Sequence, residues 1–566
     1  MAHKYLTEAV SPTVTPQSEA IPDTAQVPNS AGGFAWAVDN FTRLERFLIL
    51  GCEGGSYYAS ERKLTKENAK AVESCIAQDG LRTVKTIVEI SKGGRAPKND
   101  PALFALALCA AKGDPKTREA ALAALPAVAR IGTHLFHFAE YVQTFRGWGR
   151  GLRQAVADWY IEKPVDKLAY QLVKYQSRDQ WSHRDLLRLS HAKPKNADQN
   201  QAFKWAVKGE ATIFVARGEK APLDIIFAFE QAKAQDVNTA VGLLRVCHLI
   251  EQHGLTREMV PTEALAKAEV WEALLQKMPM TAMIRNLATM TRVGLLAPNS
   301  EGTRHVLKAL ADIEAVQKSR VHPIQVLTAL MTYKAGRGQR GSNTWTPVQP
   351  VVTALDEAFY LAFQNVPKTG LRWYLGLDVS GSMNSGEVAG VLGLTPRMAA
   401  AAMAMVTMRS EASHFVAGFT EGSGRSQWSG RFGGRYGAGI SELKLTPKML
   451  LDDVAAYTNE LPFGGTDCAL PMIDALERKM PVDVFVIYTD SETWAWDIHP
   501  TQALAQYRQK MGVAAKLIVV GMVANDFTIA DPNDAGMLDV VGFDSAAPAV
   551  ISNFASGRGV MEEPEA

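Results

Sequence analysis

Five hundred and sixty-six residues exceed what one hydrophobic core organises, so the chain divides into at least two domains. With 47% apolar and 21% charged residues it has a globular composition, and no unbroken apolar run reaches the roughly 18 residues that a membrane span needs. The start, MAHKYLTEAVSP, lacks the apolar stretch behind basic residues that marks a secretory leader. Five scattered cysteines (Cys52, Cys75, Cys109, Cys247 and Cys468) include no C-x-x-C pair. That pattern suits free thiols in a reducing compartment, and a cytoplasmic protein is expected.

The net charge of +1 averages two unlike parts. Residues 366–566 hold 15 Lys and Arg against 23 Asp and Glu, a net −8, whereas residues 1–365 hold 45 against 36, a net +9. A basic part joined to an acidic part suits a polyanion on the first and a cation or protein on the second, although charge runs are also ordinary solvated faces.

Residues 1–33 are rich in Ser, Thr, Pro and Ala without apolar periodicity, and read as a disordered tail. Residues 34–365 carry helical periodicity throughout, broken by turns such as Gly113-Asp114-Pro115. Leu103–Ala111 is apolar on every side and predicts a buried helix, and Leu265, Ala268, Trp271, Leu274 and Met278 form one apolar stripe. Short helices with brief connections predict an α-solenoid.

Within this part, Pro164 opens a helical pattern that places Lys167, Gln171, Lys174 and Arg178 on one stripe, with Leu168, Leu172 and Val173 turned toward the core. Arg184, Arg188 and His191 follow, and Arg150 and Arg153 precede it, interleaved with Trp148, Trp159 and Tyr160. Cations for phosphates with aromatic rings for bases are what RNA binding requires. A solvated helix face with core aromatics is the plainer reading of the same residues. Further on, Gly336-x-Gly338-x-x-Gly341 matches a dinucleotide fingerprint in letters only. It follows the helix-like run Pro323–Lys334, so the strand that the fingerprint needs is missing and the segment reads as a basic linker.

From residue 366 to 566 the period changes. Apolar runs at Trp373–Leu377, Phe415–Phe419, Val482–Tyr488, Leu517–Val523 and Leu538–Val541 alternate with helical stretches such as Arg397–Arg409 and Pro500–Met511. This predicts a doubly wound, Rossmann-like α/β domain with ligands beyond the carboxyl ends of its strands. There, Asp378, Ser380 and Ser382 follow the first strand, Thr466 sits in a later loop, and Asp490 follows the strand Val482–Tyr488. Five hard oxygen donors, two of them charged, suit a Mg²⁺-like ion and not zinc. Helix capping by the two acids is the alternative. The set resembles the metal-ion-dependent adhesion site of von Willebrand factor A domains, which implies a Mg²⁺ or Mn²⁺ site for protein contact and no catalysis. Aspartyl phosphatases share the topology but place a second Asp where this chain has Ser380, so phosphoryl hydrolysis lacks its acid.

Longer motifs carry a further resemblance. Arg46-Phe-Leu-Ile-Leu-Gly-Cys-Glu-Gly-Gly-Ser-Tyr-Tyr58, Trp181-Ser-His-Arg-Asp-Leu-Leu-Arg-Leu-Ser-His-Ala-Lys-Pro194, Phe463–Met472 and Phe527–Pro532 are similar to the TROVE module and A-type domain of the Ro autoantigen family. The resemblance extends over residues 34–556. It implies a single-chain ring of HEAT-like helical repeats closed by the A-type domain. It also implies binding of Y RNA and other small noncoding RNAs on the outer surface, and of 3′ ends of misfolded RNA in the central hole. Carried over by position, Lys174, Arg178 and His191 are the Y-RNA contacts, and an exoribonuclease is the implied protein partner. The function so read is a non-enzymatic ribonucleoprotein scaffold in noncoding-RNA quality control, maturation or decay. The alternative is a metal-dependent adhesion scaffold without RNA binding. Residues 421–440, with seven glycines and three arginines, depart from the animal members. They read as a flexible loop or as an RGG-type RNA-binding segment.

Overall fold

The computed structural model describes residues 14–51, 61–209, 221–338, 342–363, 366–420, 439–459, 464–495 and 497–557. The chain forms two compact units: the described residues up to Asn68 with those from Phe363 onward, and Ala69–Ala362. The first boundary thus falls well after the expected residue 34, because the first helix, Asn40–Leu50, belongs to the sheet-bearing unit. Its Leu44, Leu48 and Ile49 are buried, and so is Arg46. That guanidinium donates to Asn525 O, Asn525 Oδ1 and Phe527 O and pairs with Asp539 Oδ2 at 2.6 Å.

The sheet of this unit runs in the order Met537–Val541, Lys516–Gly521, Val484–Thr489, Trp373–Asp378, His414–Phe419, Ile440–Glu442. Every pairing is parallel except the last. The strands Trp373–Asp378 and Val484–Thr489 are buried along their whole length, as a sheet covered on both faces requires. Helices Pro396–Ser410 and Pro500–Met511 lie where the sequence predicts them. The antiparallel edge strand is a departure from the expected sheet; it follows residues 421–438, which lie outside the described residues.

The expected tail is also corrected. Residues 14–33 are ordered against the sheet-bearing unit: Gln26–Pro28 pairs with Phe34–Ala37, which pairs in turn with Phe527–Thr528. Buried polar side chains, with Gln17 fully inside, hold the segment where apolar periodicity is absent.

In the second unit, helix follows helix with brief links. Asp100–Lys112 is buried on nearly every side, with Leu103, Leu106 and Cys109 fully enclosed. At the expected turn, Asp114 caps the next helix, Pro115–Ala123, by accepting from Thr117 N at 2.7 Å. Trp271 and Leu274 are core residues as the stripe predicts, but the helix is only Ala268–Leu275. Leu265 lies in a separate 3₁₀ turn because Lys267 is extended, with ψ of 131°. Fully burying side chains such as Leu103 and Trp271 contributes roughly 2–3 kcal/mol each. Pro323–Lys334 is helical and Gly336 leaves it with a positive φ of 65°, so no strand precedes the glycine-rich run; residues 339–341 lie outside the described residues. His322 Nε2 lies 2.9 Å from Arg95 O, and Gln325 Nε2 donates to Pro97 O at 3.0 Å, linking the late helices of this unit to an early loop.

The four described cysteines, Cys75, Cys109, Cys247 and Cys468, are free thiols. Among the described residues, no helix is long and apolar enough to cross a membrane.

Candidate nucleic-acid interface and candidate metal centre

The helix Val165–Lys174 buries Leu168, Leu172 and Val173 and turns Lys167 outward, as its pattern dictates. It then stops. Tyr175 takes φ −117° and ψ 66°, and Ser177–Arg178 forms a two-stranded hairpin with Trp181–Ser182. Arg178 therefore sits on the hairpin and not on the helical stripe, with its side chain 63% exposed and Asp179 3.6 Å away. The turn is closed by Asp179 and Gln180, both at positive φ, the geometry that matches the twist of a two-residue hairpin.

Lys174 is half-buried. Its ammonium donates to the Tyr170 hydroxyl at 3.0 Å and lies 5.2 and 5.4 Å from the Tyr170 and Tyr175 ring centres. Among the described residues no ion pair within 4 Å involves it. Gln171 is committed elsewhere: its Oε1 accepts from Gly132 N at 2.9 Å, holding the start of the helix Gly132–Phe145.

Arg184 and Arg188 are exposed at successive turns of the helix His183–Ser190, and the exposed His191 ends it in a left-handed conformation. Arg150 and Arg153 are exposed on the helix Arg150–Ile161. Two of the aromatic residues that interleave these cations are unavailable for bases. Trp159 and Tyr160 are fully buried, with Trp159 Nε1 donating to Ala129 O at 2.6 Å and the Tyr160 hydroxyl 2.8 Å from His183 Nδ1. Burial pushes His183 down to about 4, so this motif histidine is a neutral core residue. Trp148 and Trp181 stay half-buried, 5.7 Å apart.

Spacing alone did not reveal what steadies the hairpin. Trp181 Nε1 donates to Glu140 Oε2 at 2.8 Å, and His137 lies between Asp100 Oδ1 at 2.6 Å and Asp179 Oδ2 at 3.0 Å. The hydrogen bond with Asp100 raises His137 above its ordinary value and lowers Asp100 below its own.

In the sheet-bearing unit Asp378 ends the strand Trp373–Asp378, Ser380 and Ser382 follow it, Asp490 directly follows the strand Val484–Thr489, and Thr466 lies in the segment before the helix Leu470–Glu477. Asp378, Ser380, Ser382, Thr466 and Asp490 are all buried. Ser380 N donates to Asp378 Oδ1 at 2.9 Å, the Ser380 and Ser382 hydroxyls are 3.0 Å apart, and Thr489 Oγ1 donates to Asp378 Oδ2 at 2.7 Å. The loops are stitched together by Gly381 N to Gly464 O at 3.3 Å and by Trp494 N to Thr466 O at 3.2 Å. Burial raises Asp378, and burial together with the charge of Asp378 pushes Asp490 up to about 7. Buried Arg397 donates to Val379 O and Ser380 O and offsets part of the Asp378 charge.

Two buried carboxyls that oppose each other's ionisation, framed by hydroxyls, fit a hard divalent cation. Among the described residues no three Asp, Glu, His or Cys side chains converge on one point, so such an ion would rest on two carboxylates and hydroxyls. Thr489 and Arg397 were not foreseen; the strand-end position of Thr489 was its only visible signal.

A sequence model of the TROVE domain matches residues 27–233 and 250–332, and one of the Ro60 vWA domain matches 372–555. The chain is 43% identical over 558 residues to "RNA-binding protein RO60" of Deinococcus radiodurans, covering 98% of this chain and 100% of that protein. It is 38% identical over 611 residues to the Caenorhabditis elegans protein of the same name, covering 96% and 92%. The crystal structure of the D. radiodurans RO (RSR) protein matches with a TM-score of 0.67 at 42% identity, over 92% of this chain and 100% of that one. With both domain models in order and identity across the full length, this chain belongs to the Ro60 family.

Proposed function

We propose that this chain is an RNA-binding, non-enzymatic ribonucleoprotein scaffold for Y RNA and for the 3′ ends of misfolded or immature noncoding RNA. The observation that carries the proposal is the run of exposed cations, Arg150, Arg153, Lys167, Arg178, Arg184 and Arg188, on neighbouring segments of the TROVE region. Arg150, Arg153, Arg184 and Arg188 have no ion-pair partner among the described residues, as groups held for phosphate would not. The relatives' name, RNA-binding protein RO60, points the same way. Half-buried Lys174 and the exposed His191 complete the surface, and Trp148 and Trp181 are the rings within reach of bases. A single-chain ring, a cytoplasmic address and an exoribonuclease partner belong to the same reading.

The test is to sequence the RNA that copurifies with the protein from its native cells and to measure affinity against salt. Small structured RNAs with a steep salt slope are expected; preparations free of RNA would overturn the proposal. A second reading, protein contact through a Mg²⁺ or Mn²⁺ ion at Asp378, Ser380, Ser382, Thr466 and Asp490, rests on their burial in adjoining loops. It predicts capture of a protein partner that chelation reverses.

A further inference from the structure

Between the start of the described chain and the strand Phe34–Ala37 runs a segment that neither domain model covers before residue 27. It contributes no oxygen donor to the candidate metal centre, yet its buried side chains reach two of the loops that do. Gln17, fully buried, donates through Nε2 to Asp467 Oδ1 at 2.7 Å and to Ile498 O at 2.9 Å, and its Oε1 accepts from the Thr493 hydroxyl. Asp467 adjoins Thr466 in sequence, and Thr493 lies three residues after Asp490. One carboxamide therefore ties together the loops that present the fourth and fifth donors, Thr466 and Asp490. Thr493 Oγ1 extends the tie by accepting from Cys468 N at 3.2 Å.

The return of the segment adds a second clasp. Asn29 Nδ2 donates to Thr493 O at 2.6 Å, and Ala31 N donates to Glu492 Oε2 at 3.0 Å. Gly33 packs so closely that a Cβ there would lie 2.1 Å from Thr493 O, so only glycine lets the two backbones meet. Fully satisfied polar networks of this kind fix geometry, whereas an apolar contact would let the loops slide.

We infer that residues 15–33 are a strap that positions the Thr466 and Asp490 loops for a divalent cation, with Gln17 as the positioning residue. The inference rests on the metal reading above. A site whose donors are held at the correct separation before the ion arrives binds it more tightly than one that must be assembled. Linkage then requires the converse: an ion that favours the ordered loops also tightens the strap.

The experiment uses the full chain, with Mn²⁺ alone as the probe in calorimetric titration. Gln17→Ala and Gly33→Val should each weaken Mn²⁺ binding about tenfold while RNA affinity stays at the wild-type value. If the wild type takes up Mn²⁺ and both variants bind it within twofold as well, the strap has no positioning role and the inference fails alone. If the wild type takes up no Mn²⁺, the metal reading fails and the inference with it. Hydrogen exchange on the unaltered protein is independent of whether the variants fold. Saturating Mn²⁺ should slow exchange at the amides of Ala31, Gly33 and Phe34, and unchanged exchange there overturns the inference.

Discussion

Arg46 Nη2 lies 2.6 Å from Asp539 Oδ2, an ion pair between residues 493 positions apart. The arginine side chain is 1% exposed and the aspartate 13%, so water does little to screen either charge. Removing one partner of a buried pair leaves the other uncompensated, which costs more than the pair itself contributes. Arg46→Ala should destabilise the sheet-bearing unit by about 3 kcal/mol or more, read as a lowered midpoint in denaturant. Arg46→Lys should recover only part of that, because a point charge cannot serve Asn525, Phe527 and Asp539 together.

Asp378→Ala removes the carboxylate that accepts from Ser380 N and Thr489 Oγ1. Mn²⁺ uptake measured by calorimetry should be lost, while RNA affinity measured by filter binding should stay near the wild-type value because the two sites lie in different units. Loss of both together would show that the two sites are not independent.

Lys174→Ala with Arg178→Ala removes one half-buried and one exposed cation from the proposed RNA surface. Affinity for structured RNA should fall, and the slope of log affinity against log salt should drop by roughly two at most. Wild-type affinity in the double variant would remove the hairpin from the interface. Gln171→Ala should act differently: it exposes Gly132 N to loss of its acceptor, so thermal stability should fall with the salt slope unchanged.

The contact between His137 and Asp100 sets a pH dependence. His137 is raised in the folded protein, so its contribution is complete below the ordinary value of 6.5 and is lost as pH rises through the higher folded value. Asp100 is lowered, so its contribution is complete above the ordinary value of 3.8 and is lost as pH falls through the lower folded value. The stability difference between wild type and His137→Gln should therefore be largest between 3.8 and 6.5 and should shrink toward alkaline pH. Melting curves across that range check it; a difference that grows with pH contradicts the assignment.

The parallel strands were legible because a strand buried on both faces must be apolar along most of its length, as Val484–Tyr488 is before the polar Thr489. Asp378 and Asp490 could be located for a related reason: side chains at the ends of parallel strands are placed by the sheet. Arg178 was misplaced because the spacing from Lys167 to Lys174 continues through it, and nothing apolar marks where Tyr175 leaves the helix. Its turn, Asp179-Gln180, lacks the glycine that usually advertises a two-residue hairpin. Trp159 and Tyr160 look like base-stacking rings beside Arg153, yet both face the core. The ordered segment at residues 14–33 was invisible because its strands are three and four residues long and its other partners come from the far end of the chain.

The joining of the first helix to the last strand also bears on biosynthesis. Translation at roughly 5–20 residues per second makes Arg46 wait roughly 25–100 s for Asp539 to leave the ribosome. Throughout that time the apolar face of Phe41, Leu44 and Leu48 lacks the completed sheet, and Ala69–Ala362 is synthesised before the sheet can form. The helix Asn40–Leu50 thus cannot reach its native partners until the strand Met537–Val541 has been made.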